Sequence, residues 1–123
     1  MKRILFFCTI LLSVAACSDG EAPAELTIVE GFMADESAVA RGGALFEGSC
    51  ANFCHTFELV ESDALFLFDC QWKNGSTDQE LFDIVTVGVP DTRMVGFGSN
   101  FPEGDDDLWK IIAFIRSNQQ PCL

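Results

Sequence analysis

The 123-residue sequence has no tyrosine and one histidine, His55, and its seven basic residues face nineteen acidic ones. A blue-copper centre needs two histidine ligands beside its cysteine, so the single histidine excludes that type of site. Nucleic-acid binding depends on basic contacts to phosphates, so the acidic balance argues against such a partner. No segment alternates apolar and polar residues as a half-buried strand does. The missing alternation predicts a mostly helical protein.

The longest nearly continuous apolar run, residues 4–12, is too short to span a bilayer. Lys2 and Arg3 precede it and "VAAC" follows, as in an export signal with a small-residue cleavage site. The stretch resembles a bacterial lipoprotein signal. That resemblance implies removal of residues 1–16 and lipidation of Cys17, which would anchor the protein to the cytoplasmic or outer membrane on the periplasmic side. The alternative is an ordinary secretory signal with an incidental cysteine.

The mature chain would have 107 residues, which suffices for one domain. It would keep five basic and all nineteen acidic residues, for a net charge of −14. Such a charge favours solubility and attraction to basic surfaces. Residues 17–36 are rich in alanine and acidic residues without a sustained period, which predicts a flexible acidic tether. Residues 37–123 are predicted to form the folded domain.

Three segments carry helix signatures. "SAVARGGALFEGSC" has apolar residues at helical spacing, and its Gly42 and Gly43 permit close approach of another element. "STDQELFDIVTVGVP" starts with a capping box of Thr77 and Glu80 and ends at glycine and proline. "GDDDLWKIIAFIRS" has three aspartates at its start. It also has one apolar stripe, formed by Leu108, Ile111, Ile112 and Ile115.

The stretch "GSCANFCHTF" places two cysteines and the only histidine within six residues. Covalent haem attachment usually uses two cysteines with two residues between them, and a histidine directly after the second cysteine. Here three residues separate Cys50 from Cys54, while His55 keeps the usual position. A bulge within residues 51–53, comparable to a π-bulge in a helix, would absorb the extra residue.

A haem iron that transfers electrons commonly has a methionine ligand besides histidine, and the thioether raises its reduction potential. The mature chain offers Met33 and Met94. Met33 falls in the predicted tether. Met94 lies in "GVPDTRMVGFG", whose proline and glycines supply the turns of a loop that could fold over a flat cofactor. Met94 is therefore the predicted second ligand.

With "LFDCQWKNG" and the closing helix, these motifs make roughly residues 38–117 similar to the small His/Met class of c-type cytochromes. The resemblance implies an all-α, cytochrome c-like fold of three to five short helices around one covalent haem c. It implies thioethers from Cys50 and Cys54, iron ligation by His55 and Met94, and electron transfer rather than enzymatic catalysis.

The resemblance also implies two structural contacts. In that family the first and last helices cross near a glycine and aromatic side chains, which here are Gly43 and Phe46 against Trp109 or Phe114. A proline carbonyl usually accepts the hydrogen bond of the ligand imidazole, and "AL" at residues 64–65 replaces the usual glycine and proline. Another backbone carbonyl could serve instead.

Cys70 and Cys122 remain after the signal and the motif are set aside. In an exported protein two such thiols most simply pair, which would close a loop worth roughly 4 kcal/mol in the chain-entropy model. The alternative is that both are free.

Two other functions compete with the cytochrome interpretation. Cys50, Cys54, His55 and Met94 would also suit a Cu(I) carrier, and four cysteines paired as disulfides would suit an acidic lipoprotein adaptor. The favoured prediction is a lipid-anchored carrier of single electrons between a periplasmic dehydrogenase or reductase and a terminal acceptor. Its acidic residues near the methionine loop would steer redox proteins with basic docking surfaces.

Overall fold

The computed structural model describes residues 24–98 and 100–121. These residues form α1 (Ile28–Met33), α2 (Glu36–Phe46), a π-helix (Glu47–Ala51), α3 (Asp78–Val87) and α4 (Asp105–Asn118). They contain no β-strand, and only one isolated bridge joins Gly88 to Val95. The prediction of an all-α protein is therefore confirmed. In the described part of the chain, no helix is long and apolar enough to cross a bilayer.

The start of the domain differs from expectation. The predicted signal peptide and the lipidation site at Cys17 lie outside the described residues. Helix α1, however, falls within the predicted tether, begins with a capping box of Thr27 and Glu30, and packs against α4. Its Val29 is only 2% exposed. The prediction of a flexible tether is thus wrong for α1, because a helix this short takes its stability from packing rather than from a visible sequence period.

Helices α2 and α4 cross at close range. A Cβ atom added to Gly42 would lie 2.0 Å from the backbone oxygen of Lys110, so only glycine lets the two backbones come this close. A Cβ on Gly43 would lie 2.9 Å from the ring of Phe114, whose centroid is 5.6 Å from that of Phe46. The predicted crossing of glycine and aromatic residues is present, with Phe114 as the aromatic partner.

Helix α3 packs against α4. Trp109 of α4 stacks on Phe82 of α3, with ring centroids 4.4 Å apart, instead of meeting the glycines of α2. Helix α3 begins with the predicted capping box of Thr77 and Glu80 and ends at Gly88, whose φ is 79°. The apolar stripe of α4 is buried as predicted. The core comprises Val29, Phe46, Phe68, Leu81, Phe101, Leu108, Ile111, Ile112, Ala113 and Ile115.

An ion pair between a partly exposed arginine and a buried carboxylate also joins α2 to α4. Asp107 is fully buried and accepts from Arg41 Nε at 2.6 Å and from Arg41 Nη2 at 2.9 Å. The Glu103 N–H donates to the same carboxylate at 2.9 Å. The hydrogen bonds from Arg41 hold the pKa of Asp107 below its usual value. The pair thus fixes how the two crossing helices meet.

Candidate functional site

The cysteine and histidine motif follows α2 through a widened helical turn. The Cys50 carbonyl accepts from the Cys54 N–H at 3.1 Å and from the His55 N–H at 3.0 Å. The second bond spans five residues, as the bonds of a π-helix do. The chain therefore accommodates the longer spacer by wide turns. The widening begins with the π-helix Glu47–Ala51, one turn before the predicted bulge within residues 51–53.

The imidazole of His55 is held by a backbone carbonyl. Its Nδ1 lies 2.7 Å from the oxygen of Leu65, and the side chain is half-buried. A carbonyl oxygen can only accept a hydrogen bond, so Nδ1 carries the proton and the lone pair of the neutral ring lies on Nε2. This tautomer is the one that binds a metal through Nε2. Leu65 therefore supplies the backbone carbonyl that holds the imidazole of His55.

Met94 lies in a loop fastened to the end of α3. Its carbonyl accepts from the Val89 N–H at 2.9 Å, and its own N–H donates to Thr92 Oγ1 at 3.1 Å. A Cβ on Gly88 would lie 2.6 Å from the Met94 oxygen. The left-handed φ and the small size of Gly88 are therefore both required where the loop returns to the helix. The side chain of Met94 is half-buried.

One cavity brings Cys54, His55 and Met94 together. Its volume is about 150 Å³, below the roughly 300–1,000 Å³ typical of ligand pockets. Aliphatic side chains make most of its wall, including the buried face of α4 and, on α3, Leu81, Ile84 and Val85. The site therefore sets an apolar wall beside one imidazole, one thiol and one thioether.

Exposed polar residues line the same cavity where it meets solvent. Arg93 Nε donates to Asp63 Oδ2 at 2.9 Å, and the two exposed side chains form an ion pair. The pair links the residue before Met94 to the segment that carries the carbonyl of Leu65. Lys73 is a second exposed cation in the lining.

Cys50 has different surroundings from Cys54. The cavity lining includes Cys54 but not Cys50, whose half-buried side chain packs against the core. Both are free thiols, so the disulfide between them that the adaptor alternative requires is not formed. Burial, and to a lesser extent the neighbouring Cys54, raise the pKa of Cys50 to about 11. Three of the four predicted cofactor contacts therefore line the cavity, and the half-buried Cys50 packs against the core without lining it.

The remaining sulfur residues lie elsewhere. Cys70 is disulfide-bonded, and its predicted partner Cys122 lies outside the described residues. The Gln120 N–H donates to the Phe68 carbonyl at 2.8 Å, which places the C-terminal segment beside the segment that precedes Cys70. Met33, at the end of α1, does not line the cavity.

One contributor to the site was missed by sequence reasoning, the pairing of Asp63 with Arg93, which spans thirty residues. A backbone carbonyl was expected at the imidazole, and the structure identifies it as that of Leu65. Within the described ranges, no three side chains of histidine, cysteine, aspartate or glutamate cluster to hold a metal ion. No protein-family model, curated protein or solved structure matches the chain.

Proposed function

We propose that this protein is a mono-haem electron carrier with a cytochrome c-like fold, in which His55 and Met94 bind the iron of a covalently attached haem c. The observation that carries the proposal is the fixed imidazole of His55. Its Nδ1 is committed to Leu65 at 2.7 Å, which leaves the Nε2 lone pair as the metal-binding atom in a cavity that Met94 also lines.

The residues present fit such a group on three counts. The walls are mostly aliphatic, as a porphyrin face requires. A thiol stands beside the imidazole, because Cys54 precedes His55 and lines the same cavity. Exposed Lys73 supplies a positive charge suited to a carboxylate substituent, whereas Arg93 is paired with Asp63. These features support haem better than a Cu(I) site, since Cys50 does not line the cavity with the other soft ligands.

When bound, the haem supplies an iron that changes oxidation state by one electron, and its histidine and methionine ligation raises the potential. The chain's own residues hold the reacting centre in place. Leu65 orients the imidazole, the loop bonds at Val89 and Thr92 hold Met94, and the aliphatic walls exclude water. Ligation from two side chains leaves no position for a substrate, so the proposed role is electron transfer and not catalysis.

The proposed partners are redox proteins with basic docking surfaces on the periplasmic side of a bacterial membrane. The mature net charge of −14 supports this, since a surface of one sign steers oppositely charged proteins. The rate of electron transfer to such a partner should fall as ionic strength rises. A rate that does not change with salt would refute the steering.

The experiment that tests the proposal is spectroscopy of protein produced together with haem-maturation machinery. We expect a c-type absorption spectrum in the oxidised and reduced states, and an intact mass equal to the mature chain plus one haem. Replacing Met94 by leucine should abolish the weak long-wavelength band of a thioether bound to ferric iron. Met33→Leu is the matched control and should leave that band unchanged. Colourless protein, or protein that carries copper, would refute the proposal in favour of the adaptor or the copper carrier.

A further inference from the structure

The different surroundings of the two motif cysteines have a chemical consequence. Cys54 lines the cavity beside His55, whereas Cys50 is absent from the lining and packs against the core. A thiol can react with a bound ligand only where it reaches that ligand. The usual arrangement of two bonds, one from each cysteine, therefore does not fit this site.

We infer that haem is attached to this chain through a single thioether, formed by Cys54, and that Cys50 stays a free thiol in the core. The inference rests on the proposed function and deepens it. It names Cys54 as the modification site and a vinyl group of the haem as the reacting group, and it leaves the second vinyl group unreacted.

The chemistry balances without another reactant. The S–H bond of Cys54 adds across one vinyl double bond: sulfur bonds to the carbon next to the ring, and the hydrogen goes to the terminal carbon. No oxidant or reductant is consumed, but the cysteine must be a thiol and not a disulfide. Cys54 is a free thiol in the structure, so it meets this requirement.

Backbone hydrogen bonds hold Cys54 and His55 in place at the cavity. The Cys50 carbonyl accepts from both the Cys54 and His55 N–H groups, which fixes the second cysteine and the histidine as one unit at the cavity. The side chain of Cys50 belongs to the preceding π-helix, which directly follows α2, and this half-buried side chain packs against the core.

The first test uses the wild-type holoprotein, so it does not depend on a variant that folds. The protein is unfolded in denaturant without reductant, alkylated with iodoacetamide, digested and mapped by mass. We expect alkylation at Cys50 and haem on the peptide that carries Cys54. The pyridine haemochrome band should lie between those of haem with two thioethers and haem with none. Haem bonded to both cysteines, or to Cys50 alone, would overturn the inference.

A matched pair of variants gives an independent readout. Cys50→Ala should keep its haem through acidic organic extraction, with the haemochrome band of the wild type. Cys54→Ala should lose essentially all its haem in the same extraction. A haem protein in which Cys50→Ala shifts the band toward unreacted haem would refute the single bond but leave the proposed function intact. A colourless wild type would refute both.

Discussion

Replacing Gly42 by alanine tests the helix crossing on which the candidate site is built. The added Cβ would lie 2.0 Å from the backbone oxygen of Lys110 and 2.5 Å from its carbonyl carbon, whereas real Cβ contacts essentially never fall below 3.0 Å. The obstacle is backbone in the middle of α4, so it cannot turn aside as the end of a flexible side chain can. Helices α2 and α4 must therefore separate by about 1 Å or more, which forfeits a large part of their dispersion contacts.

The expected loss of stability follows from two opposing terms. Overpacking a well-fitted core typically costs about 1–3 kcal/mol, and a backbone obstacle places Gly42→Ala at the upper end. Alanine recovers about 1 kcal/mol of helix propensity relative to glycine. The net loss of about 2 kcal/mol should lower the Tm by roughly 8–16 °C for a domain of this size.

The assay is urea and thermal unfolding followed by far-ultraviolet circular dichroism, on variants and wild type prepared in the same way. Gly31→Ala in α1 is the matched control, because nothing lies within 4 Å of the Cβ it would add. That change should stabilise the protein by about 0.5–1 kcal/mol. If Gly42→Ala unfolds at the same urea concentration as Gly31→Ala, the close crossing does not exist and the reasoning is refuted.

Three further predictions concern single contacts. Asp107→Asn should destabilise the domain by about 2 kcal/mol at pH 7, since it removes the charge that Arg41 pairs with. The pKa of Asp107 is lowered in the folded protein, so the stability that its carboxylate contributes is present above about pH 4 and is lost as pH falls through the folded pKa. Urea unfolding at several pH values should therefore show that the stability of the variant falls less steeply with acid than that of the wild type. An equal fall of stability in both proteins would contradict the ion pair. Thr77→Ala should cost about 1 kcal/mol by removing a helix cap, and unchanged unfolding would exclude the cap. Gly88→Ala should displace the loop and weaken the long-wavelength band assigned to Met94 in the haem-loaded protein; an intact band would show that the loop tolerates a side chain there.

Local patterns in the sequence were sufficient to predict most helices. The capping box of Thr77 and Glu80 and the stop at Gly88 involve residues within one or two turns of each other, so α3 was predicted with its boundaries. The stripe of α4 was equally readable, because burial on one face imposes a period of 3.6 residues. Helix α1 was missed although Thr27 and Glu30 form a capping box, since its six residues show no such period and its packing against α2 and α4 exists only in the fold.

The candidate site was likewise predicted in part from the sequence and decided in part by the tertiary structure. The sequence by itself determined which side chains could bind a cofactor, because it has one histidine, with Cys54 directly before it and Cys50 five residues before it. It also favoured Met94 over Met33 through the turn residues of the loop. The tertiary structure alone decided that Leu65 fixes the imidazole of His55, and that Cys54 meets the cavity while Cys50 meets the core. The physical reason is that a backbone acceptor has no residue signature, and the direction of each thiol depends on the π-helical turn and the packing around it.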